Sequence, residues 1–221
     1  GWVQGKHLLI LRFIEAGRFG RKALKLYFCH RQQMDLDRRF VRYRHHPADP
    51  ASLSSDRVVT IAQDRGGILW LTGYDGLNKY DRRRERFGVL RRRPGQEETL
   101  SDNRLWAVHE DRAGDLWVGT YDAGIDRLRR DPVDSGERRV VRRYRPDPAD
   151  PRSLPHGTIS AFCEDRSGVL WVGTWGGLAR RVDDGFVTYR HDPADSTSLS
   201  DDTVYSLLED RVGRLWVGTY Y

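Results

Sequence analysis

The chain has 221 residues, 38% hydrophobic and 32% charged, with seven Trp and ten Tyr, a mixture ordinary for a globular protein and too apolar for disorder. Its formal net charge of +6 resides in residues 1–40, which hold nine Lys or Arg and three Asp or Glu; residues 41–221 hold 29 of each sign, so a general electrostatic grip on nucleic acid is not expected. No stretch approaches the roughly 18–20 apolar residues of a membrane span, and Cys29 and Cys163 are too few for a disulfide framework.

In chain order, residues 1–36 remain an unassigned basic segment. Leu8 to Ile14 is apolar, but Arg12 interrupts it and it is short for a signal-peptide core. Asp37 to His45 reads as the end of a repeat whose Trp strand is absent. Either another module opens the chain or the reading frame there is damaged.

From there one pattern recurs four times. An Asp-Arg pair is followed, six residues after the Asp, by a Trp: Asp64 to Trp70, Asp111 to Trp117, Asp165 to Trp171 and Asp210 to Trp216. Each Trp lies 17 residues after a leucine that opens the unit (Leu53, Leu100, Leu154, Leu199). The Trp-to-Trp intervals of 47, 54 and 45 residues mark a repeat architecture.

Within a unit, short β-rich runs alternate with turn chemistry. In the third copy, Thr158 to Cys163 and Val169 to Thr174 flank Asp165-Arg166-Ser167-Gly168; Leu178 to Val182 follows Gly176-Gly177; and Phe186 to Arg190 follows Asp183-Asp184-Gly185. Four strands joined by three hairpins, repeated in tandem, predict an all-β fold of β-propeller blades, each a four-stranded antiparallel sheet. The units span about 53–99, 100–153 and 154–198, with a partial one at 199–221. That is about three and a half blades within residues 37–221. Gly1 in place of Met and a stop inside the fourth unit lead to the expectation of a fragment of a larger propeller.

Each Trp is expected to form the core of its own blade, so that Trp70, Trp117 or Trp171→Ala unfolds that blade. The linkers Tyr43 to Pro50, Tyr144 to Pro151 and Tyr189 to Asp195 read as rigid loops rather than metal sites, despite His45, His46 and His191. Cys163 reads as a small core filler. The arginine runs 82–84 and 91–93 read as solvated faces.

The repeats resemble the bacterial two-component regulator propeller repeat. Leu199-Ser200, Val204 to Leu208 and the run from Asp210 to Thr219 carry the resemblance, with Gly177-Leu178-Ala179-Arg180 and Phe186 to Tyr189 supplying the remainder. The departures are Leu154-Pro155 for Leu-Ser and Thr72-Gly73 for Gly-Thr, expected to alter local turns only. The resemblance implies a periplasmic ligand sensor in which seven-bladed propellers precede an immunoglobulin-like module and a membrane helix. Its implied output is a hybrid histidine kinase or a diguanylate cyclase, and its implied input a polysaccharide breakdown product. Implied partners are an oligosaccharide or other small molecule, further blades, a signalling module and a second copy in a homodimer, with no nucleic acid and no cofactor.

Directly after each Gly-Thr pair stands an aromatic residue: Tyr121, Trp175 and Tyr220, with Tyr74 in the equivalent place. These rings, with Asp75, Asp122 and Asp126, are the candidate ligand-binding residues, on the same end as the proline loops; rings packed merely between blades are the plainer reading. Two rival functions remain: a secreted propeller glycosidase or lyase, and a protein-interaction scaffold. The Asp and Arg that recur in every copy read as structure, and no catalytic or metal-binding set is expected.

Overall fold

The computed structural model describes residues 41–82, 84–131 and 137–221, with the backbone of two short strands before them. Strands β1 (Leu9–Leu11), β2 (Lys25–Phe28) and β3 (Val41–Arg42) form a three-stranded antiparallel sheet. The rest of the basic segment, with Cys29, lies outside the described residues.

Three four-stranded meanders follow. The first is β4 (Val58–Gln63), β5 (Leu69–Gly73), β6 (Leu77–Asp81) and β7 (Arg86–Leu90). The second is β8 (Leu105–Glu110), β9 (Leu116–Thr120), β10 (Ile125–Arg130) and β11 (Arg138–Tyr144). The third is β12 (Ile159–Glu164), β13 (Leu170–Thr174), β14 (Gly177–Val182) and β15 (Gly185–Tyr189), and β16 (Val204–Glu209) with β17 (Leu215–Thr219) begins a fourth. Each strand pairs antiparallel with its sequence neighbour within its sheet, as tight hairpins require. Strands β4, β8, β12 and β16 pack successively against one another, which makes them the inner strands of adjoining propeller blades.

Trp70 and Trp117 are seam residues, which corrects the expectation of a blade-internal core. Trp70 belongs to the first blade but packs with Leu100, Leu105, Val108, Leu116, Leu128 and Val140 of the second. Trp117 packs likewise with Leu154, Ile159, Leu170, Val172 and Phe186 of the third. Both are almost fully buried, whereas Trp216, on which no described residues pack as a further blade, is 56% exposed. The reason is geometric: a single antiparallel sheet has two faces and no interior, so a large ring is buried only between sheets.

The proline loops begin at the end where the second and third strands turn, but they do not stay there. Their later residues cross the outer strand of the next blade, where the Phe87, Val140 and Phe186 amides donate to the Ala51, Glu98 and Arg152 carbonyls. Their imidazoles are used structurally: His45 and His191 each donate through Nδ1 to a leucine carbonyl, Leu53 and Leu199, at 2.7 and 2.6 Å. The leucine that opens each unit (Leu53, Leu100, Leu154) is buried where the loop returns.

The following residue explains one sequence departure. Ser54 and Ser101 are held by Asn78 and Asp126 on the third strand, through backbone and side-chain bonds of 2.7–3.0 Å. Pro155 has no N–H to donate, and the matching third-strand residue is Ala179, apolar and buried.

Candidate functional site

The two ends of the blades use the repeat differently. At one end lie the Asp-Arg turns. The Asp carboxylate accepts two kinds of bond: one oxygen takes a backbone amide four residues on, and the other takes the indole N–H six residues on. The indole distances are 3.0 Å for Trp70, 2.8 Å for Trp117, 2.9 Å for Trp171 and 2.9 Å for Trp216. The recurring spacing of six thus positions one carboxylate to close the turn and orient the ring. The glycine three residues after the Asp takes φ of 83–89° in all four copies, a conformation that costs glycine little.

The arginine beside each of the first three Asp residues joins neighbouring blades. Arg65 donates through its guanidinium to the carbonyls of Asp111 and Arg112, and its amide donates to Glu110. Arg112 repeats this on Asp165, Arg166 and Glu164, and Arg166 on Asp210 and Glu209. Arg138, almost fully buried, lies over the Trp70 ring and donates to Glu110 and to the Gly114 carbonyl. The acidic pairs at this end are therefore occupied by structural bonds. Burial raises the affinity of Asp165 for a proton, but bonds from Trp171, Val169 and Ser167 and the nearby Arg112 outweigh it and leave the carboxyl below its ordinary range. The Trp216 indole and the Arg214 amide hold Asp210 at about 2.

The opposite end carries the predicted aromatic positions, and there the copies diverge. Tyr121 and Trp175 lie with centroids 5.7 Å apart, and both touch a ring that sequence reasoning missed, Trp106, at 5.7 and 5.8 Å. Trp175 also touches Tyr205, at 6.3 Å, and Tyr205 touches Tyr220, at 5.9 Å. One continuous row of rings thus runs across the second, third and fourth blades. Trp106 and Tyr205 are extra residues at inner-strand bulges: β8 pairs Leu105 with Thr120 and then Ala107 with Gly119, and β16 skips Tyr205 likewise. The available signal was divergence. Five residues before each repeat Asp stand Val59, Trp106, Ser160 and Tyr205, beside positions that barely change.

The other candidates separate. Tyr74 is 43% exposed, with Arg57 over its face at 5.4 Å, and no ring contact joins it to the row among the described residues. Asp75 is paired with Arg91 at 2.9 Å, and Asp122 is exposed. Asp126 is fully buried; it accepts from the Ser101 amide and hydroxyl and faces Arg143, so it is not a ligand residue. Burial, against these partners, pushes its carboxyl above the ordinary range.

The Thr72-Gly73 swap also reaches beyond its turn. In the regular copies Thr120 and Thr174 donate to the Gly124 and Gly177 carbonyls of their own turns. Thr72 instead donates across the seam to the Trp106 carbonyl, at 3.2 Å, and accepts the Thr60 amide. The Thr158 hydroxyl likewise donates across a seam, to the Tyr121 carbonyl.

Three segments, residues 99–122, 153–176 and 198–221, match the family model described as two component regulator propeller. Each runs from one residue before the opening leucine to one residue past the turn aromatic. Among solved structures the chain is similar to the extracellular domain assigned to the hybrid two component system BT3049 of B. thetaiotaomicron (TM-score 0.67, 20% identity), covering 90% of this chain and 26% of that one. It is also similar to PorZ, a surface component of the type-IX secretion system of Porphyromonas gingivalis (TM-score 0.57, 17% identity, 91% and 30% covered). A third similar structure is virginiamycin B lyase from Staphylococcus aureus (TM-score 0.54, 14% identity, 96% and 67% covered). At these identities the likeness concerns the fold, and the chain spans about a quarter of the first relative. No curated protein matches it in sequence.

Proposed function

We propose that this chain, which carries two-component regulator propeller repeats, is an extracytoplasmic ligand-sensing part of a signal-transduction protein and that its input is an oligosaccharide. The parent adds further blades, a membrane anchor and a kinase or cyclase output, and works as a homodimer. The observation that carries this reading is the ring row from Trp106 through Tyr121, Trp175 and Tyr205 to Tyr220, at the end where the repeats diverge. Partly exposed aromatic faces stack on the apolar faces of sugar rings.

A binding role is supported over catalysis by the repeat carboxylates. Asp64, Asp111, Asp165 and Asp210 each hold an indole, and Glu110, Glu164 and Glu209 each hold a neighbouring arginine. The test is a thermal-shift and calorimetric screen of the chain against maltotriose, cellotriose, xylotriose and trigalacturonate, with Tyr121→Ala and Trp175→Phe beside it. Binding of one trisaccharide, weakened in both variants while the circular dichroism stays unchanged, is the expected result. A folded chain that binds none of them overturns the oligosaccharide reading.

A further inference from the structure

Within the oligosaccharide reading, on which this rests, we infer that the aromatic end takes an acidic saccharide, with Arg104 and Arg57 as its carboxylate-binding residues. Both stand seven residues before the repeat Asp, on the loop entering the inner strand, and both are exposed. Arg104 lies over the Tyr121 ring at 5.0 Å and Arg57 over the Tyr74 ring at 5.4 Å. The third and fourth copies have Thr158 and Thr203 there. A guanidinium over the turn aromatic is thus a feature of the first two blades, whereas the guanidinium contacts of the later blades fall on the repeat Trp rings.

These arginines differ in their bonding from those at the other end. Arg65, Arg112 and Arg166 use their N–H groups on carbonyls and carboxylates of the adjoining blade. Arg104 makes one side-chain contact of 3.3 Å, to Asp102, and no carboxylate pairs with Arg57 among the described residues. A guanidinium lying on an aromatic face directs its N–H groups outward along the ring plane, a fork that matches a carboxylate bidentately. Tyr121 is also a member of the ring row, so Arg104 lies beside the stacking surface. A pyranose on Trp106, Tyr121 and Trp175 would place its carboxylate on Arg104 and its hydroxyls near the exposed Asp122. Arg57, one blade away, is a second cation for the next acidic unit of the chain. A neutral sugar makes no comparable use of two cations.

The experiment is calorimetric titration of the 221-residue chain with trigalacturonate, a heparin-derived hexasaccharide and maltotriose, at low and high salt. It is repeated with Arg104→Gln, Arg57→Gln and the double variant, with circular dichroism to confirm an unchanged fold. The expected result is that one acidic probe binds at least tenfold more tightly than maltotriose. Salt should weaken that binding, Arg104→Gln should reduce it about tenfold, and the double variant should abolish the preference. Maltotriose binding as tightly as both acidic probes overturns the inference and leaves the oligosaccharide reading standing, as does an acidic preference unchanged in the double variant. If the folded chain binds no saccharide at all, both fall.

Discussion

The two ends of the blades share a backbone plan yet treat their side chains oppositely. At the Asp-Arg end the same residue types recur, with each Asp holding its Trp indole and Arg65, Arg112 and Arg166 reaching the next blade. At the aromatic end the bulge position changes from Val59 to Trp106, Ser160 and Tyr205, and the loop position changes from Arg to Thr. Repetition at one end joins the blades, whereas the other end diverges from copy to copy and carries the proposed site. A solenoid-like array permits this division, because each blade is stabilised mainly by its neighbours and the positions outside the seams are free to vary.

The sharpest way to break the comparison is at the seam. Trp117→Ala removes a ring with no exposed surface and should cost about 3–5 kcal/mol, whereas Trp216→Ala in this chain should cost below about 1 kcal/mol. Chemical denaturation of both variants checks this; equal losses would overturn the seam assignment. Next in size is a pair of glycines, one from each end. A Cβ on Gly124, at the aromatic end, would stand 2.1 Å from the Tyr144 carbonyl oxygen at a φ of +82°, and Gly124→Ala should cost roughly 2–3 kcal/mol. Gly114, in the Asp-Arg turn, has φ +86° but open space, so Gly114→Ala should cost only about 1 kcal/mol. Matching melting temperatures would remove the close-approach argument.

The smallest effect is acid sensitivity. The Asp115 carboxyl is raised by burial but lowered further by Arg129 and Arg127, and Asp165 also lies below its ordinary value, so both contribute stability above about pH 4 that is lost as pH falls through their depressed values. His109 sits in the seam between the second and third blades, 3.9 Å from Glu164, and burial lowers its affinity for a proton despite that carboxylate. Its stability contribution is therefore present above about pH 6.5 and lost on acidification. Asp126, raised by burial, works in the opposite direction. Melting temperature should fall from pH 7 to pH 5 and fall further below pH 4, and His109→Gln should remove the first decline. An unchanged first decline in that variant would place its origin elsewhere.

The blade plan was legible in the residues because antiparallel hairpins are local: turn glycines and alternating β-rich runs place each strand next to its sequence neighbour. The recurring Asp and Trp were legible for the same reason, since six residues across one hairpin bring carboxylate and indole together. The turn aromatics Tyr121, Trp175 and Tyr220 were found from their fixed place after Gly-Thr. Trp106 and Tyr205 were not, because a bulge is a register slip between two strands and leaves no mark in one copy read alone. Nor could spacing within a unit show that Trp70 and Trp117 are buried by the following blade, that Arg65 reaches Asp111, or that Asp126 is held by Ser101. The local order of strands is thus written in the chain, while which side chains are seam, staple or exposed ring was decided only when one blade packed on the next.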